Sequence, residues 1–199
     1  MFKKEDPDLL HRLQETTKLA NFRQAIMIRG IQMGAKRLEK LHKGEFYIEA
    51  LMVHGQLLEH VLRGILYTCW LKAVVAEEVG APEPLPVIRK NERQIAQFHK
   101  DFADFKKKPL GKIIGLFREA TGETELADKS ESFNKIRIKM VHQAFNGIED
   151  IDEVNKAVSI YLKTADLGEI VDRLSPVETR IREEIKALYP KLNPLTPEK

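Results

Sequence analysis

Apolar residues recur three and four positions apart along almost the whole chain, and no run alternates apolar and polar residues over five or more positions between turn residues. That spacing predicts an all-α protein built as an antiparallel helical bundle. A first helix is expected from Asp6-Pro7-Asp8, where an acidic cap and a proline suit the first turn, to about His42, with Lys43-Gly44 as its stop. Gly30 and Gly34 are points where it would bend. A second helix runs from about Glu45 to Val79 and ends at Gly80. Its stripe of Ile48, Leu51, Met52, Leu57, Leu58, Val61, Leu62, Ile65 and Leu66 is wide enough to demand central burial.

The segment APEPLPVIRKN, with three prolines in five positions, reads as an extended crossover loop. After it, IAQFHKDFADF places Ile95, Phe98, Phe102 and Phe105 on one helix face, better read as core than as stacking partners for bases. Pro109 opens a short helix, LGKIIGLFREA, closed by Thr121-Gly122, and a further helix spans roughly Glu125 to Phe145. The last long segment starts at Asp152 and meets Ser175-Pro176, which kinks the helix or ends it and caps the next. Val177 to Leu188 completes the amphipathic pattern. A single domain over 1–189 is expected, with a Pro-rich flexible tail over 190–199.

Composition changes this picture mainly by exclusion. The chain has 199 residues with 33 Lys/Arg against 30 Asp/Glu, a net charge of +3 that by itself demands neither nucleic acid nor membrane as partner. One cysteine, Cys69, rules out an internal disulfide framework and a Cys-rich zinc site. The start, MFKKEDPDLL, offers no apolar stretch for a signal peptide, and charges interrupt the stretch from Phe46 to Ala76, so a cytoplasmic protein without a membrane span is expected.

Known catalytic signatures are missing: there is no glycine-rich phosphate loop, no Gly-x-Ser-x-Gly elbow and no His-Glu-x-x-His helix. His54 and His60 stand about 600° apart on one helix and point to opposite faces, so they are read as packed or solvated rather than as ligands of one metal. Glu149-Asp150-Asp152-Glu153 suits a helix start. Lys106-Lys107-Lys108 with Lys112 reads first as a solvated cluster. One segment stands apart, ESFNKIRIKMVHQAFNG, in which Arg137 precedes His142 near the end of an amphipathic helix. Arginine presents a permanently charged fork to a phosphate, and histidine titrates near neutral pH, so the pair can hold a phosphodiester and move the proton of a ribose 2′-hydroxyl.

FNKIRIKMVHQAFNG resembles the motif helix of the HEPN family (higher eukaryotes and prokaryotes nucleotide-binding domains), in which an Arg is followed after four to six residues by His. EALMVHGQLLEHVLRGIL resembles that family's earlier helix with an apolar frame around a Glu, and LGKIIGLFREATG is similar to the segment ahead of the motif. The resemblance covers roughly residues 46–146, with the HEPN-like core placed at about 46–174. It implies a homodimer whose motif helices face each other across a cleft, forming a metal-independent endoribonuclease site that leaves a cyclic phosphate, with no cofactor and no metal. Carried over by position, Arg137 would bind the scissile phosphate, His142 would act as general base or acid, and Glu59 would orient Arg137. Asn134 supports Arg137 from one turn earlier, and Lys135 and Lys139 would line an RNA-binding edge. The implied setting is a toxin–antitoxin or antiviral defence system with a regulatory partner or antitoxin. Ile138 stands where active members often carry a polar residue, which favours the alternative of a non-catalytic HEPN-like dimer that binds RNA, a nucleotide or a partner protein. A third reading, a helical protein outside the family, leaves the wide face of the second helix as core or oligomer interface only.

Overall fold

The computed structural model describes residues 28–78, 108–146, 150–165 and 167–192. Six helices account for nearly all of them, and no strand occurs among the described residues. They are α1 over 28–43, α2 Tyr47–Glu78, α3 Leu110–Thr121, α4 Thr124–Phe145, α5 Ile151–Thr164 and α6 Leu167–Leu192. The expected start of the first helix, the Pro-rich crossover and the Phe-bearing stretch over 95–105 lie outside the described residues, as does 193–199.

The wide apolar stripe of α2 sits at the centre, and α3, α4, α5 and α6 all pack on it. Leu51, Leu62 and Ile65 of α2 are wholly buried against Ile113 and Phe117 of α3, Phe133 of α4, Val158 of α5 and Leu174 of α6 within one continuous core. Each such side chain contributes roughly 1.5–3 kcal/mol through burial, which is why this stripe organises the molecule. Turn chemistry fixes α3 where expected. Pro109 occupies the cap position with extended backbone, and Gly122 ends the helix at φ 73, a conformation that costs glycine no steric penalty.

Ion pairs and shared contacts give the helix directions. Arg118 of α3 pairs with Asp128 and Glu131 of α4, and Gly111 lies against Asn134, so α3 and α4 form an αα-hairpin. Arg173 with Glu125 and Lys129 with Glu169 set α4 and α6 antiparallel. Lys72 pairs with Glu184 near the far end of α6, whereas His54 adjoins that helix's start, so α2 and α6 run the same way. The bundle therefore mixes parallel and antiparallel neighbours, and is not antiparallel throughout.

Two boundaries differ from the pattern-based expectation. The break expected at Ser175-Pro176 occurs instead at Ala165, whose backbone is extended (ψ 107), while α6 passes through Pro176 without interruption. Thr164, whose hydroxyl turns back to the carbonyls of Ile160 and Tyr161, ends α5. Pro176 is tolerated because Leu174, Val177 and Ile181 around it are anchored in the core, and this burial outweighs the roughly 3 kcal/mol cost of an interior proline. At the other end, α6 runs to Leu192, so the first residues of the expected tail are helical. Gly30 and Gly34 do not break α1 within the described residues; they lie against His60 and Leu57 of α2.

The N-terminus of α2 is capped from a distance. Asn155 of α5 accepts the backbone N–H groups of Tyr47 (2.9 Å) and Ile48 (3.2 Å) through Oδ1 and donates from Nδ2 to the Glu45 carbonyl (2.8 Å). Glu45 itself adopts φ 60 in the turn from α1. Asn155 thereby satisfies two of the four unpaired donors that open any helix.

Candidate functional site

The face formed by α2 and α4 carries most of the candidate residues. Arg137 lies on the side of α4 turned toward α2, and its side chain crosses directly over Gly55: a Cβ there would stand 2.6 Å from Arg137 Cδ and 3.0 Å from Nε. Only glycine leaves room for this crossing. The guanidinium donates from Nη2 to Asn134 Oδ1 at 2.9 Å, and its Nε is buried without a hydrogen-bond partner. Asn134 is itself buried, one turn back on α4. Arg137 has no carboxylate partner among the described residues, so a half-buried charge is balanced only by a neutral amide. An ordinary surface arginine paired to a carboxylate would look different.

Glu59 is placed one turn beyond Gly55 on α2, yet its carboxylate accepts from Arg63 Nη2 (2.6 Å) and Nε (3.0 Å). Arg63 also donates to the Lys108 carbonyl. Asn134, and not Glu59, therefore holds Arg137. The i, i+3 spacing that puts Asn134 on the face of Arg137 makes this bond available, whereas Arg63, at i, i+4 from Glu59, is the stronger local competitor for the carboxylate.

His142 is exposed in the last turn of α4, where the N–H of Asn146 bonds to its carbonyl. Five residues rotate an ideal helix by about 500°, so within one chain His142 faces roughly 140° away from Arg137. The two are thus on one helix but not brought together. Around them stand exposed apolar side chains: Ile138 is 43% exposed, Phe145 73% and Met52 of α2 37%. Lys135 is exposed and paired with Glu131 at 3.1 Å, and Lys139 is exposed with no ion pair among the described residues. The contact of Gly111 with Asn134 brings the start of α3, with exposed Lys108 and Lys112, to the same end of the face. Lys106 and Lys107 lie outside the described residues.

A second polar site lies on the other flank of α2. His42, His54, Lys163 and Thr164 line a cleft of about 450 Å³ between the end of α1, the second turn of α2 and the α5–α6 junction. The rings of His42 and His54 meet edge to face at 6.0 Å. Burial first, then the neighbouring His42, lowers the pKa of His54 from 6.5 to about 4. Helical spacing alone identified His54 as a packed or solvated histidine; the cleft depends on α5 and α6, which no local pattern places beside it.

Other chemistry is closed off. Cys69 is buried and its thiol is pushed up to about 12, chiefly by burial, so it holds its proton at neutral pH. No group of three or more His, Cys, Asp or Glu that could hold a metal ion occurs among the described residues. No described helix is long and apolar enough to cross a membrane. Comparison with protein-family models, curated proteins and solved structures finds no match.

Proposed function

We propose that the protein is a HEPN-like homodimer whose α2/α4 face binds RNA and cleaves it without a metal, Arg137 engaging the phosphodiester and His142 moving the proton of the 2′-hydroxyl. One observation carries this reading: the Arg137 guanidinium is half-buried, held in place by Asn134 and Gly55, and lacks a carboxylate partner among the described residues. Burying a cation against a neutral partner is costly, and a phosphate anion would offset that cost with charge-assisted hydrogen bonds. Exposed Met52 of α2 and Ile138 and Phe145 of α4 give a second copy apolar surface to cover. Two-fold pairing would also bring the His142 of one chain toward the Arg137 of the other, which a single helix does not do. Lys108 and Lys112 supply positive potential at one end of this face, whereas Lys139 points about 160° from Arg137 around α4 and Lys135 is already paired with Glu131. A regulatory partner that occupies this face would hold such an activity in check, as the family's defence systems require.

A non-catalytic dimer that binds RNA, a nucleotide or a protein is the second reading, favoured by exposed Ile138 directly after Arg137 and by the outward His142. Incubation of the purified protein with mixed single-stranded RNA in EDTA separates the two. The first reading expects cleavage with cyclic phosphate ends, reduced at least about 100-fold in Arg137→Ala and His142→Ala. Undiminished cleavage by either variant refutes the site. No cleavage by a stable dimer that still binds RNA through Arg137 selects the second reading.

A further inference from the structure

We propose that the cleft between the end of α1, the second turn of α2 and the α5–α6 junction is a binding site for a phosphorylated small molecule, its phosphate held by Lys163 and the imidazoles of His42 and His54. This inference is independent of the RNA-cleaving face.

Among the described residues, the lining carries cationic and neutral polar groups. Its polar side chains are His42, His54, Lys163 and Thr164, with no carboxylate among the described residues that line it. Lys163 is exposed and forms no ion pair among the described residues. The cleft opens beside Leu167 and Gly168, the first two residues of the 26-residue α6, so the positive end of that helix's dipole adds to the lysine's field. Asp166, which stands in sequence between the lining residues Ala165 and Leu167, lies outside the described residues.

His54 is kept neutral by burial, with a pKa of about 4, so at pH 7 it offers one N–H donor and one acceptor without charge repulsion against His42. The Thr164 hydroxyl donates to the Ile160 and Tyr161 carbonyls, which leaves it as an acceptor for a protonated phosphate oxygen or a ligand hydroxyl. Leu162 and Leu167 give the cleft an apolar side. About 450 Å³ exceeds what a bare anion fills and leaves room for an organic body beside the phosphate.

The test is a titration of the full chain with inorganic phosphate and with phenyl phosphate, read on the ring resonances of His42 and His54 by NMR against sodium chloride at equal ionic strength. Saturable shifts of both rings are expected, with phenyl phosphate binding at least threefold tighter than phosphate. Lys163→Ala, a change at an exposed position that leaves the core intact, weakens both at least fivefold. The response persists in Arg137→Ala, whose guanidinium lies on a different face of α2. Absence of a saturable shift, an unchanged affinity in Lys163→Ala, or loss of the response in Arg137→Ala overturns the site. So does saturable zinc binding by the two imidazoles with no response to phosphate. Equal affinity for the two phosphates overturns the apolar half of the proposal.

Discussion

His54 shows how a single residue acquires properties its spacing does not reveal. In the folded chain its protonation is opposed by burial and by His42, which lowers its pKa from 6.5 to about 4. The unfolded chain therefore takes up this proton first, so the contribution of His54 to stability is complete above about pH 6.5 and is lost as pH falls toward 4. With allowance for its partial contact with solvent, the loss is on the order of 2 kcal/mol. Urea denaturation of the wild type and His54→Gln across that interval checks it: the wild type loses stability and the glutamine variant, which does not titrate, loses much less. Glu125 titrates in a different window. The hydrogen bond and charge of Arg173 hold its carboxyl down to about 2, so its contribution fades only below about 4.5 and does not confuse the histidine signal.

Among the elements, α2 and α4 meet through a glycine, and that contact tests whether Arg137 works by its placement. Gly55→Ala puts a methyl group 2.6 Å from Arg137 Cδ, which forces the side chain off its path without removing its charge. In a helix interior the same change is worth up to about 1 kcal/mol in propensity, which offsets the local crowding. The expected outcome is a melting temperature within a few degrees of wild type together with at least a tenfold loss of RNA cleavage or binding; undisturbed RNA activity would show that the crossing over Gly55 is irrelevant. Elements were legible in the sequence where short-range chemistry decides them. Pro109 and Gly122 bounded α3, and the apolar stripe of α2 marked the centre of the bundle. The α5–α6 break was not legible, because the core contacts of Leu174, Val177 and Ile181 override the proline signal at Pro176. Helix directions were hidden as well, since the Lys72–Glu184 pair joins residues far apart in the chain.

At the scale of the whole molecule, the net charge of +3 conceals a local concentration of positive side chains. Lys108, Lys112 and Arg137 lie toward the α2/α4 face, whereas Lys139 points about 160° from Arg137 around α4, and three phosphate contacts on single-stranded RNA correspond to a log–log salt slope of about −2. Fluorescence anisotropy over a salt series measures it, and a slope near zero removes the lysines from RNA recognition. The site was only partly legible from sequence. Arg137, Asn134 and His142 were found through one helix, whereas Gly55 beneath Arg137 and the engagement of Glu59 by Arg63 required α2 and α4 to be seen together. The cap supplied by Asn155 carries a consequence for synthesis. By residue 78 the ribosome has delivered all of α2, yet the donors of its first turn have no side-chain acceptor until residue 155 emerges. The nascent chain thus holds its completed central helix with an open end for about two-fifths of its translation, and fragments that stop short of α5 lack the group that closes it.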